Sequence, residues 1–216
     1  MVIERVEALI QQRHLLTHPF YTKWAAGTLP KENLREYSRQ YYAFESNFPR
    51  FISAIHTRTE QAAARQALLV NLWDEEHGEA NHAELWLRFA EALGVARDEV
   101  QRAEHNAATR GLVDTYRRIT TEAPLAAAVA ALFAYERQVP AVAQAKMDGL
   151  LAFYGITDGP GLRFFEIHAS LDVEHAAAER GIIEARRPED EDAIAAATAE
   201  ALDAWWRFLD AVDVPA

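Results

Sequence analysis

The sequence contains no cysteine. That absence removes disulfides, thiolate zinc sites, iron–sulfur clusters and cysteine nucleophiles from consideration. A basic excess is missing too: 22 Lys and Arg stand against 33 Asp and Glu, for a formal net charge of −11 with His neutral. Such a surface repels phosphate backbones, so no nucleic-acid partner is expected. No uninterrupted apolar run reaches the ~18 residues that suggest a membrane-spanning helix. Met1-Val2-Ile3-Glu4-Arg5 shows no basic region followed by an apolar stretch. Neither a membrane segment nor a signal peptide is therefore expected, and the location expected is cytoplasmic. Strand signals are nearly absent, with no sustained alternation of β-branched residues and no Asn-Gly or Asp-Gly hairpin between such runs.

What is present is an ordinary globular balance. Of 216 residues, 50% are hydrophobic and 25% charged, which allows a core of useful size in a single domain over residues 1–216. Helical spacing dominates. It predicts helices over residues 2–16, 19–26, 30–58 with a bend at Pro49, 60–93, 97–106, 109–121, 124–154 with a bend at Pro140, and 162–186. A last helix is predicted to start at Pro188, with Glu189 to Asp192 in the first turn, where the helix dipole favours acids. Gly27 and Gly94 close helices, and Asp158-Gly159-Pro160 reads as a turn. The expected fold is one all-α bundle of seven or eight helices.

Three clusters carry chemistry. In the segment from Leu162 to His175, His168, Asp172 and His175 are spaced i, i+4, i+7. At ~100° per residue they share one helix face. Two imidazoles and a carboxylate form the ligand set of non-heme iron oxygenases. Leu162, Phe164, Phe165, Ile167 and Leu171 surround that face, which would place an Asp and two His in the interior. The plainer reading is a pair of partly buried histidines with Asp172 as their partner. The second cluster runs from Trp73 to His82. There Glu75 and His82, seven apart on a predicted continuous helix, would stack on one face, and Glu79-Ala-Asn-His82 fits the ExxH pattern of ferritin-like dimetal proteins. Glu75 and His82 are expected as ligands, and Glu79 as a residue behind them. The third is Glu136, which follows ten apolar residues. It reads either as a bridging ligand or as the partner of Arg137 or another Arg. Together, Glu75, His82, Glu136, His168, Asp172 and His175 could hold two divalent ions of the iron class with positions left for O2.

A family resemblance adds to this reading. His18-Pro-Phe20, Trp24, Gly27-Thr-Leu-Pro30 and Tyr37-Ser-Arg-Gln-Tyr41-Tyr42 resemble the N-terminal half of the TenA/PqqC proteins, which share the heme-oxygenase-like helical fold. Asn71-Leu-Trp-Asp-Glu-Glu-His-Gly and the run from Glu84 to Gly94 are most similar to the CADD-like branch (the chlamydial protein associating with death domains), within the heme-oxygenase-like dimetal oxidases. The resemblance covers nearly the whole chain, and the six-residue ligand pattern falls on the positions named above without a gap. It implies an Fe/Fe or Mn/Fe centre that uses O2 and an external reductant, and p-aminobenzoate, for folate, as the product. It further implies that the aromatic ring comes from the protein's own Tyr21 and that Lys146 supplies nitrogen, with Tyr37 and Tyr135 as further site tyrosines. Lys146 is also the only Lys or Arg between Arg137 and Arg163. Read without the resemblance, the tyrosines are ordinary core aromatics and Lys146 a surface lysine. A homodimer is expected by analogy of fold alone.

Other readings remain open on the same scaffold. A TenA-type thiaminase needs a cysteine. A PqqC-like cofactorless oxidase needs no metal ligands. A heme oxygenase could use His14 or His18 but leaves the later ligands unexplained. A dimetal oxidase or N-oxygenase acting on a free amine, amino acid or fatty acid would use the same six ligands. A protein-binding module would need no filled metal site.

Overall fold

A computed structural model describes residues 1–157 and 159–213. Within them the chain forms twelve α-helices: α1 Val2–Gln12, α2 Pro19–Ala25, α3 Lys31–Glu45, α4 Phe48–Arg58, α5 Ala62–Glu76, α6 His82–Ala92, α7 Arg97–Gln101, α8 Ala107–Glu122, α9 Leu125–Glu136, α10 Val139–Gly149, α11 Gly159–Glu184 and α12 Glu191–Val212. No strand occurs among the described residues, and no helix there is long and apolar enough to cross a membrane.

The count exceeds the expected bundle of seven or eight because the short segments over 19–26 and 97–106 form helices of their own and three of the nine predicted segments, 30–58, 60–93 and 124–154, are each two helices. Pro49 and Pro140 do not bend a helix. Each sits in the first turn of a new one, α4 and α10, where its missing N–H has no intrahelical partner to lose. The predicted helix over 60–93 breaks at residues 77–81. Gly78 there takes φ +80°, which right-handed helix does not accommodate. Asn81 then caps α6, its side chain accepting from Glu84 N at 2.9 Å. Gly159 and Pro160 begin α11 instead of forming a turn; Asp158 lies outside the described residues. The last α-helix starts at Glu191, after a short 3₁₀ turn over Pro188–Asp190.

The core centres on α9, in which every residue from Ala126 to Glu136 is buried. Six of those residues are alanines, and their small side chains let α11 and α12 pack closely on either side. Bulk comes from the neighbours: Trp24, Trp86, Trp205, Tyr37, Tyr41 and Tyr116 are all fully buried. At Gly149 an added Cβ would lie 2.6 Å from the Trp24 ring, so this glycine lets α10 close onto α2. The Trp24 indole N–H donates to the Lys146 carbonyl at 3.2 Å, which fixes the register that brings Lys146 inside.

Candidate metal centre

The six expected ligands meet in the interior, where Glu75, His82, Glu136, His168, Asp172 and His175 are all buried. They come from the end of α5, the start of α6, the end of α9 and the middle of α11. The predicted reason for the Glu75–His82 pairing was wrong: they do not stack on one helix but face each other across the break, with His82 Nδ1 2.9 Å from Glu75 Oε2. The His82 and His168 rings lie 4.4 Å apart, centroid to centroid. On α11 the Nδ1 of His168 donates to the Phe164 carbonyl at 2.7 Å, leaving Nε2 with its lone pair. His175 lies the other way round: Nε2 is 3.0 Å from Asp74 Oδ2, and Nδ1 is 3.7 Å from Asp172 Oδ1. One ring nitrogen anchored to an oxygen acceptor, with the other free, is how metal-binding histidines are held. Glu136 is not the partner of Arg137, which pairs with Glu7; it accepts from Asn71 Nδ2 at 2.9 Å.

Two further buried carboxylates belong to this cluster and were missed in the sequence. Glu45 ends α3, and its nearest ligand atom lies with those of His82 and His168 in a group no more than 4.8 Å apart. Glu179, one turn beyond His175, lies against Glu136. Both carry signals already used elsewhere. Glu45 follows the aromatic run Tyr41-Tyr-Ala-Phe, much as Glu136 follows its apolar run, and Glu179 continues the stripe of 168, 172 and 175. Glu79, in contrast, is exposed in the loop over residues 77–81, so the ExxH reading fails because the helix it needs is interrupted.

Electrostatics shows what the cluster lacks. Burial holds Glu75, Glu136 and Glu179 above the usual carboxylate range. It pushes Asp172 up to about 7. For Glu45, burial and then the Glu75 charge raise the value to about 8. Burial also depresses His82 and His168. His175 rises to about 9 because the carboxylates around it, Asp172, Glu136 and the hydrogen-bonded Asp74, outweigh its burial. Among the described residues, nine buried side-chain N or O atoms have no hydrogen-bond partner, and eight are here: Glu45 Oε1, Asn71 Oδ1, His82 Nδ1 (whose approach to Glu75 Oε2 lies off the direction of a ring N–H), Glu136 Oε2, Asp172 Oδ2, His175 Nδ1 and both oxygens of Glu179. Buried polar atoms are normally paired. Divalent cations would satisfy the carboxylates and imidazoles together and remove their mutual repulsion. Glu45 and Glu136 are the last residues of α3 and α9, and Glu75 is next to last in α5, so three helix C-termini add partial negative charge at the same place. The donor set fits transition ions of the iron class.

The acids of the second cluster are separable by mutation. Glu75→Ala should weaken metal binding at least ~10–100-fold, the range seen even for groups behind the ligands. Glu79→Ala should leave metal content unchanged and shift stability by less than ~0.5 kcal/mol, as for other exposed sites. Metal analysis of the two variants checks this, and loss of metal from the Glu79 variant alone would reverse the assignment.

Beside the cluster lies an aromatic chamber. Lys146, 5% exposed, donates to Tyr37 Oη at 2.8 Å. The Tyr37 hydroxyl is 3.2 Å from that of Tyr21. The rings of Tyr21, Tyr37 and Tyr41 have centroids 5.0–5.4 Å from Lys146 Nζ. Tyr135 joins through a short hydrogen bond with the hydroxyl of Tyr41. Burial, only partly opposed by the Glu45 charge, lowers Lys146 to about 7, and burial raises Tyr21 well above the usual phenol value. Lys146 is thus no surface lysine. Trp86 connects chamber and cluster: its ring is 4.1 Å from Tyr41 and 4.9 Å from Phe164, which in turn contacts His168 at 4.1 Å.

Residues 35–206 match the family described as iron-containing redox enzymes. The chain is 41% identical over 214 residues to the 4-aminobenzoate synthase of Chlamydia muridarum, covering 99% of this chain and 91% of that protein. It is 43% identical over 220 residues to the 4-aminobenzoate synthase of Nitrosomonas europaea, covering 97% and 89%. In fold it is similar to a TenA homologue from Pseudomonas syringae pv. tomato, with a TM-score of 0.84 at 18% identity over 98% of this chain and 90% of that one.

Proposed function

The chain belongs to the iron-containing redox enzymes, and from that premise we propose that it makes 4-aminobenzoate (p-aminobenzoate) oxidatively, at a two-metal centre, from its own Tyr21. Near-full-length identity of 36–43% to proteins named 4-aminobenzoate synthase carries the reaction. The burial of Lys146 against Tyr21 and Tyr37 supports the chain itself as the source of the ring and the nitrogen.

Glu75, His82, Glu136, His168, Asp172 and His175 would hold two ions, Fe/Fe or Mn/Fe. Bound there, they supply the O2-reducing chemistry, with electrons from an external donor. The rest falls to the protein. In tyrosine the ring carries a hydroxyl para to Cβ; in the product it carries an amine para to a carboxylate. The hydroxyl must therefore leave as water while Nζ takes its place on the ring, Nζ must be cut from Cε of Lys146, and Cβ must be cut from Cα and oxidised to the carboxylate, with O2 and the external donor's electrons as the co-reactants. Tyr21 holds its ring in a buried chamber beside Lys146, so ring and amine meet without a bimolecular encounter, a contribution of several kcal/mol. Tyr37 links the Tyr21 hydroxyl to Lys146 Nζ and can pass a proton between them. An amine attacks carbon only when unprotonated, and burial brings Lys146 to about 7, where half the population is neutral.

The pH dependence follows in sign. The yield from metal-loaded protein should rise from pH 6, where about a tenth of Lys146 is neutral, to a plateau above pH 8. Quenched single-turnover assays, with metal content measured at each pH, check this. Lys146→Met should give no product while keeping its metal. A flat profile, or product from the methionine variant, would remove Lys146 as the nitrogen source.

A second reading, oxidation of a free small molecule, draws on a pocket of about 310 Å³ bordered by Asp172, Phe133, Pro140 and Ala176. Sustained turnover on an added amine or acid would favour it.

A further inference from the structure

Glu45 enters the cluster from α3, a helix that supplies none of the six ligands named above. Its side chain is 4% exposed, yet Oε1 has no hydrogen-bond partner. A buried carboxylate oxygen left bare normally costs stability. Its carboxylate sits where it could share a cation with two imidazoles: one ligand atom each from Glu45, His82 and His168 lie within 4.8 Å of one another. His168 already spends Nδ1 on the Phe164 carbonyl, so its lone pair is at Nε2. Two imidazoles and one carboxylate, from α3, α6 and α11, make a facial set of the kind that holds a single first-row ion with open positions. The other donors group elsewhere. His175 Nδ1 faces Asp172, and Glu136 is held by Asn71. Glu75 is 2.9 Å from His82 Nδ1 and is also close enough to Glu136 and His175 for their charges to act on it.

Resting on the metal reading above, we propose that Glu45 is itself a ligand. With His82 and His168 it closes a two-histidine, one-carboxylate set for one divalent ion, and Glu136, Asp172 and His175 serve the other, with Glu75 shared. The centre then has seven protein ligands and two unlike positions. Glu45 also has a way to receive an ion: with Glu75 it borders a surface pocket of about 250 Å³ lined by Ser46, Pro49, Glu76, Asn81 and Ala83. An ion entering there meets the carboxylates of Glu45 and Glu75 before the histidines behind them.

The test is anaerobic titration of the metal-free full chain with ferrous iron, for wild type, Glu45→Gln, His168→Ala and Glu136→Gln. Wild type should take up two equivalents. Glu45→Gln should weaken one of them at least ~10-fold and leave the other, and His168→Ala should weaken that same equivalent. Glu136→Gln should weaken the other one. The melting temperature of metal-free Glu45→Gln should match or exceed that of wild type, because the amide removes a buried carboxyl and keeps its shape. Two equivalents bound by Glu45→Gln at wild-type affinity would overturn the assignment. Should that variant fail to fold, anomalous scattering from iron-soaked wild-type crystals decides. An ion bonded to Glu45 supports the assignment, and ions bound at His82 and His168 with Glu45 unbonded overturn it. Wild type that binds no iron at all would instead bring down the metal reading, and this assignment with it.

Discussion

Replacing Tyr21 by Phe should abolish 4-aminobenzoate formation while leaving the fold and the metal in place. The substitution removes one hydroxyl. Phe keeps the ring in the same packing, 5.4 Å from Phe20 and 6.3 Å from Trp24 between centroids. The lost contact is the hydrogen bond to Tyr37, worth about 0.5–1.5 kcal/mol, too little to unfold a domain of this size. The hydroxyl's partner is Tyr37 and not one of the six residues proposed to hold metal, so metal content should match wild type. Chemically the loss is complete, because without the phenol oxygen the ring has no group for the amine to displace and no easily oxidised site. Wild type should in turn yield no more than about one product per chain, with a mass change localised at position 21. Intact-protein and peptide mass spectrometry after iron, reductant and O2 reads both. Tyr37→Phe should be milder: it breaks the link between Tyr21 and Lys146 but leaves both reactants. Product beyond one equivalent with Tyr21 intact would move the chemistry to a free substrate.

The i, i+4, i+7 spacing on α11 survives because that helix is unbroken through His168, Asp172 and His175. Glu136 was legible because a lone carboxylate after ten apolar residues must be buried with something. Glu75 and His82 do lie together, but not by stacking on one helix: periodicity runs smoothly through 60–93, and only Gly78 and Asn81 mark the break that swings α6 round to face α5. The same break exposes Glu79. Prolines 49 and 140 misled similarly, since a first-turn proline and a kinking proline look alike in sequence and only the preceding residues' hydrogen bonding separates them. Glu45 and Glu179 escaped because a charge at a helix end or on a long helix is ordinarily solvated. Their burial is set by which helix packs opposite, a tertiary fact that local pattern does not carry. Lys146 shows the same limit, since its depth depends on Gly149 letting α10 meet Trp24.

Ferrous iron or manganese should stabilise the protein, and the size of the effect should grow with pH. An ion present at 100 times its dissociation constant adds about 2.7 kcal/mol. At ~2–4 °C per kcal/mol for a domain of this size, the melting temperature should rise by about 5–10 °C. The pH dependence comes from competition with protons. Glu45 at about 8 and Asp172 at about 7 are held above their unfolded values by burial. Their contribution to metal-free stability is therefore full at low pH and is lost as pH climbs from about 4–4.5 through 7–8. Metal requires the same groups deprotonated, so its advantage appears over that same interval. Lys146, depressed to about 7, acts in the opposite sense, its share recovering as pH rises from about 7 to 10.5. It contributes to both the loaded and metal-free forms and largely cancels from their difference. The gap between loaded and metal-free melting temperatures should thus be small at pH 5 and still be widening at pH 8, where Glu45 is about half deprotonated. His168→Ala and His175→Ala should each lose metal sharply and flatten the gap. The His175 change also strands Asp74 and Asp172, whose partner it is. Scanning calorimetry at pH 5, 6.5 and 8, with and without metal, reads the whole pattern. A gap independent of pH would mean that the ions bind somewhere other than among these buried carboxyls.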